Sequence, residues 1–156
     1  FIVHKAIVIE DESAALKHLV NEEFDPAKEI ILHDGKPLDV NVSTDGEYVR
    51  ITDYDWNRVH LEVNSNGPGY LFFSENYLPY WHAKVDDRRV EVLRCDISMR
   101  AIPIGKGIQR IEMWYESPFY ELGKVLFVIA WIVVAAGVVR HVRGTKGTKG
   151  WRRFWS

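Results

Sequence analysis

Apolar and polar residues alternate along much of the first two thirds of this chain, and then the alternation stops. In residues 57–63, Val59, Leu61 and Val63 fall on one side while Arg58, His60 and Glu62 fall on the other. The same period of two runs through 108–115, where Ile111, Met113 and Tyr115 share a face. Such alternation marks strands with one side against a core. Residues 70–73, Tyr-Leu-Phe-Phe, are apolar on both sides and predict a central strand. Further strands are predicted at 1–9, 29–32, 90–93 and 100–104. Turn chemistry divides them, as at Asp34-Gly35-Lys36-Pro37, Thr44-Asp45-Gly46, Asn66-Gly67-Pro68-Gly69 and Gly105-Lys106-Gly107. One short helix interrupts the series. Asp11 is placed to cap residues 12–20, whose Ala14, Ala15, Leu16, Leu19 and Val20 form an apolar stripe behind an acidic first turn. About eight or nine strands at short spacing predict a mainly β fold, an antiparallel β-sandwich of jelly-roll or immunoglobulin-like type.

Residues 119–139 follow no such rhythm. Only Glu121 and Lys124 are charged there, both near the start, and 125–139 is wholly apolar. At about 1.5 Å per residue the stretch reaches roughly 31 Å, the hydrocarbon thickness of a bilayer. Residues 140–156 then carry Arg140, Arg143, Lys146, Lys149, Arg152 and Arg153 and no acid, a flank that marks the cytoplasmic side of a spanning helix. The chain is therefore divided into an extracytoplasmic sandwich (1–118), a transmembrane helix (119–140) and a basic cytoplasmic tail (141–156). Within the span, Gly123, Ala130, Ala135 and Gly137 offer small residues for contact with another helix. Trp131 sits in mid-span, facing either such a neighbour or lipid. Arg140, Arg143, Trp151, Arg152, Arg153 and Trp155 are expected to form an interfacial anchor.

The net charge of −2 conceals a division, since residues 1–118 balance at −8 and residues 140–156 at +6. A nucleic-acid binder needs its basic charge on the folded domain, so nucleic acid is excluded as a partner. Anionic headgroups suffice to attract the tail. About 118 residues make one domain. A lone cysteine, Cys95, excludes an internal disulfide and a cysteine-based zinc cluster. The chain opens on Phe1-Ile-Val rather than methionine, which implies a preceding segment, either a cleaved signal or a longer region.

From Leu71 onward the residues resemble a known family. Leu71-Phe72-Phe73-Ser74-Glu75-Asn76-Tyr77-Leu78-Pro79-Tyr80-Trp81-His82-Ala83-Lys84-Val85-Asp86-Asp87 is similar to the pattern Leu-Ser-(Asp/Glu)-x-Tyr-x-Pro-Gly-Trp-x-Ala-x-Val-Asp-Gly of the bacterial YfhO-type membrane proteins. Val92-Leu93-Arg94-Cys95-Asp96-Ile97-Ser98-Met99-Arg100-Ala101 is similar to that family's Leu-Arg-Ala-Asn-x-x-Phe-Arg-Ala. Ile111-Glu112-Met113-Trp114-Tyr115-Glu116-Ser117-Pro118 is similar to its Val-Glu-Phe-Arg-Tyr-x-Pro. Tyr80 and Asp87 depart from the pattern, each standing where the family has glycine. The resemblance implies a C-terminal extracytoplasmic β-domain and last membrane helix of long polytopic proteins similar to lipid-linked glycosyltransferases. The multi-helix part, where such enzymes keep their acidic catalytic residues, is not in this chain.

Tyr77, Tyr80, Trp81 and His82 form an aromatic cluster of the kind on which sugar rings stack, or a surface for a protein partner. The competing expectation places Trp81 in the sandwich core with the tyrosines at its edge. Glu10, Asp11 and Glu12, or Asp53 and Asp55, could be general acids or calcium ligands. Their spacing matches neither use, and solvated surface charge is expected. His4, His18, His33, His60, His82 and His141 are scattered without metal-ligand spacing. Ser74 and Cys95 lack an activating motif. No catalytic residue, metal or cofactor is assigned. The expected role is a non-catalytic, single-pass subunit of the bacterial cytoplasmic membrane, docked by its outer domain on other membrane-protein subunits and anchored in the bilayer. Two alternatives stay open. One is the end of a polytopic YfhO-like protein that helps present a glycan acceptor, the other a stalked carbohydrate-binding module.

Overall fold

The computed structural model describes residues 1–145. Its opening segment is extended as the pattern predicts, but His4 divides it into β1 (Ile2–Val3) and β2 (Lys5–Val8). The helix α1 (Glu12–Leu19) follows, with Asp11 as its N-cap accepting from the Ala14 amide at 2.7 Å. The chain then runs through β3 (Glu29–Leu32), β4 (Leu38–Asp39), β5 (Tyr48–Asp55), β6 (Arg58–Ser65), β7 (Gly69–Phe73) and β8 (Trp81–Val85). After β9 (Arg88–Val90), β10 (Leu93–Cys95), β11 (Met99–Ile104) and β12 (Gly107–Tyr115) comes the long helix α2 (Pro118–Thr145).

Two sheets form. The first has the order β1-β7-β11-β10-β3-β2-β4 and the second the order β5-β6-β12-β8-β9. The first is rolled, for a reason the order itself supplies. β1 and β2 are separated in the chain only by His4, yet they stand five strand spacings apart. At about 4.8 Å per spacing a flat sheet would hold them roughly 24 Å apart. The sheet must therefore curl until its ends meet. Inside the roll lie Val3, Ala6, Ile30, Leu32, Tyr70, Leu93, Cys95 and Ala101.

His4 sits at the seam, buried, with Nδ1 2.8 Å from the Pro68 carbonyl and Nε2 3.0 Å from Glu47 Oε1. Gly69 is required beside it. A Cβ there would lie 2.9 Å from the Val3 carbonyl oxygen and 3.1 Å from the His4 ring.

The other face of the roll meets the second sheet. Leu71, Ile102 and Ile104 pack against Val59, Leu61, Val63, Ala83, Val85, Ile111 and Met113, which gives the sandwich its shared core. Pairing is antiparallel throughout, as expected, except that β2 and β3 run parallel, joined through α1.

Three expectations are corrected in detail. The strands number twelve among the described residues, several of them only two or three residues long. Residues 90–93 are not one strand, because Val90 ends β9 in the second sheet and Leu93 begins β10 in the first. Val92 fills the sandwich core at that crossing and Leu93 enters the roll. The helix predicted over 119–140 continues to Thr145, so the start of the expected tail is helical.

The chain separates into two compact units, Phe1–Glu116 and a second beginning at Ser117. In α2 the segment Pro118–His141 is long and apolar enough to cross a membrane, with mean hydropathy 2.5, and none of it is buried.

Candidate functional site

Of the four aromatic positions expected to share a surface, Tyr77, Trp81 and His82 line one groove of about 220 Å³, while the strand that carries two of them turns those two to opposite faces. β8 alternates, so Trp81, Ala83 and Val85 turn toward the sandwich core while His82 and Lys84 face outward. Trp81 is held by two neighbours. The Arg100 guanidinium lies 3.9 Å from its ring centroid and Tyr115 packs edge-on at 5.6 Å. Tyr77 packs against the same core, and its amide donates to the Ser98 carbonyl at 2.6 Å. Tyr80 is half-buried, edge-on to Tyr115 at 6.3 Å. His82 instead stacks on Trp114 at 5.4 Å, among Lys84 and Arg89, whose charges lie 5.2 and 5.8 Å from that indole.

Arg100 is the residue that the sequence reading missed. On β11 it points to the sandwich side among apolar neighbours, 2% exposed, and Phe73 lies over it at 5.5 Å. One guanidinium nitrogen donates to Glu75, whose side chain is half open to water, while the buried Nε–H has no partner. Burial works against the positive charge, and Glu75 opposes that effect. The available signal was a charged residue at a core-facing position of an otherwise apolar strand.

Arg100, Glu75, Trp81 and Phe73 form one side of a cleft of about 190 Å³. Ile51, Tyr54 and Asp55 of β5, Trp56 in the turn after it and Arg58 at the start of β6 form the other. Trp56 and Tyr54 are 79% and 66% exposed. Aromatic surface left in water beside a convergent acid–base pair is the composition of a binding cleft. A larger open groove of about 750 Å³ crosses the outer face of the second sheet, but its Glu112 is already shared between Arg58 and Lys84. The aromatic cleft is the stronger candidate.

The acids expected to be surface charge are placed as such. Asp11 caps α1, Glu12 pairs with Arg94 at 2.7 Å, and Asp53 and Asp55 lie exposed on β5. Cys95 is fully buried, and burial pushes its thiol far up, away from the reactive thiolate. Among the described residues no three His, Cys, Asp or Glu side chains are grouped to hold a metal.

On α2, Gly123, Ala130 and Gly137 recur every seven residues and fall on one stripe, with Trp131 roughly 100° and Ala135 roughly 140° around the helix from Ala130. The space around both glycines is open. Trp131 packs edge-on against Phe127 at 6.2 Å. Arg140 and Arg143 are exposed on the helix, whereas Trp151, Arg152, Arg153 and Trp155 lie outside the described residues.

Comparison with protein families decides the wider relationship. The family described as bacterial membrane protein YfhO matches residues 38–127, more than half of the chain, from β4 into α2. The chain belongs to the YfhO family of bacterial membrane proteins. Among curated proteins and solved structures nothing matches. The YfhO match covers Tyr54, Trp56, Glu75, Trp81 and Arg100 together, so the whole cleft lies within the family's span. Family membership and the unburied apolar helix agree that this is a membrane protein.

Proposed function

We propose that this YfhO-family chain is a non-catalytic, membrane-anchored module whose β unit docks on another component of a membrane complex. One observation carries the reading. A β unit with its own two cores is joined to a helix whose apolar side chains are covered by nothing among the described residues. The basic end of that helix, with Arg140 and Arg143, orients it with the β unit outside the cytoplasmic membrane. The non-catalytic reading is supported by a cysteine buried away from solvent and by acids spent on a helix cap and an ion pair.

The test is purification of the full chain from its native membrane with a mild detergent. A stoichiometric protein partner, lost when Trp56 is replaced by alanine, supports the module. A chain that purifies alone and monodisperse refutes it.

The cleft favours a second reading, a glycan-binding site. Trp81 is already engaged by Arg100 and Tyr115, so stacking on a sugar ring falls to Trp56 and Tyr54. This is the reading under which the chain would help present a glycan acceptor within a longer YfhO-like protein. Titration with cell-wall or lipid-linked glycans, followed by tryptophan fluorescence, should respond in the native chain and not in Trp56→Ala. No response in either removes the glycan.

A further inference from the structure

β5 is the edge of the second sheet, eight residues long and exposed over nearly its whole length. Such an edge presents a row of unpaired backbone donors and acceptors. Its pairing with β6 contains a bulge between Ile51 and Asp53. Before the bulge, Val49 and Ile51 stand opposite Val63 and Leu61, on the core-facing side, and Arg50 stands opposite Glu62 on the outer side. After it, Tyr54 stands opposite Val59 on the inner side, while Asp53 and Asp55 oppose His60 and Arg58 on the outer side. In an unbroken strand, residues 50 and 55 would point to opposite faces, as would 51 and 54. The extra residue, Thr52, brings each pair onto a common face.

That parity change makes the edge complementary to itself. Placed antiparallel against a second β5 about a two-fold axis, with residue i opposite residue 105 minus i, Arg50 meets Asp55 of the other copy and Ile51 meets its Tyr54. Both contacts occur twice. The charged pairs fall on the outer face and the apolar pairs on the inner face, where Ile51 and Tyr54 are now 59% and 66% exposed. Arg50 is held only by a long 3.9 Å ion pair with Glu62 and a contact with the Tyr48 ring at 5.3 Å, and its side chain is 68% exposed. We propose that two copies of this chain associate through β5, in this register, to form one continuous sheet across an isologous interface. The register sets Trp56, in the turn just past β5, opposite Val49 of the other copy. This inference stands apart from the anchoring role, because a monomeric chain could still dock on a different protein.

The test uses the full chain in detergent micelles. In one copy residues 50 and 55 are about 16 Å apart along the strand, too far for a disulfide, whereas directly opposed residues of antiparallel strands are about 4.5–5.5 Å apart. The double variant Arg50→Cys with Asp55→Cys should therefore give a covalent dimer under mild oxidation, and neither single variant should. Arg50→Asp should raise the concentration at which dimers dissociate by about tenfold or more. Adding Asp55→Arg to that variant should restore it to within about threefold of the original. A monomer at all concentrations overturns the proposal. So does a dimer indifferent to charge reversal, which would join elsewhere, or the absence of the double-cysteine cross-link.

Discussion

Replacing Glu75 with alanine should destabilise the β unit, while replacing its partner Arg100 with methionine should not. The Arg100 side chain is 2% exposed and that of Glu75 is 52% exposed, so the pair is buried on one side only. Removing one partner of a fully buried pair costs about 3–5 kcal/mol. Here water reaches the carboxylate already, and the loss falls toward that of an orphaned charged hydrogen bond, about 2 kcal/mol. Methionine at position 100 removes the buried charge and the unpartnered Nε–H together, against a lost stack on Trp81 of about 0.5–2 kcal/mol. The net change should lie within about 1 kcal/mol of zero. The double variant should then be no less stable than Arg100→Met alone, because without the guanidinium Glu75 has nothing to serve. For a unit of this size 2 kcal/mol corresponds to roughly 6–10 °C in the unfolding midpoint. Near-ultraviolet circular dichroism of the full chain in detergent measures it on the tryptophans of the β unit. Additive losses, or an Arg100→Met cost above about 3 kcal/mol, would refute the reasoning.

Four further outcomes follow from other parts of the molecule. Asp87, with φ of +65°, stands where the family pattern has glycine, and Asp87→Gly should stabilise the chain by about 0.5–1 kcal/mol in urea unfolding. Ile97, a β-branched residue at φ of +70° in the β10–β11 turn, is more strained, and Ile97→Asn should raise the unfolding midpoint by a few degrees. Burial pushes the Asp96 carboxyl above its ordinary value, so the folded state holds that proton more tightly than the unfolded one. Stability should accordingly fall as pH rises from about 4 through the raised value. Asp96→Asn should flatten that slope while keeping the bond from the Ile31 amide, which unfolding curves at several pH values would show. Ile129→Arg or Val134→Arg should impair insertion by about 2.5–3.5 kcal/mol, and unchanged partitioning into membranes would count against the span.

The aromatic cluster shows where sequence reasoning succeeded and where it stopped. Trp81 could be singled out, and the competing expectation of a structural tryptophan is the one the packing favours. Its partners could not be named. Arg100 is 19 residues further along the chain and reaches Trp81 only through the pairing of sheets. Trp56 is a turn residue whose exposure follows from β5 being an edge, and edges are a property of strand order, which alternation does not encode.

What the sequence by itself determined are the features written in local chemistry. The period of two set the faces of β6 and β12, Asp11 began α1, and the unbroken apolar run after Lys124 made α2 long and apolar enough to cross a membrane. Each depends on neighbours a few residues apart, where spacing and side-chain type suffice. Tertiary structure alone decided the closure of the first sheet at His4, the crossing between sheets at Val92 and the bulge at Thr52. These depend on which distant strands meet and in what register, and a shift of one residue exchanges one face of a strand for the other.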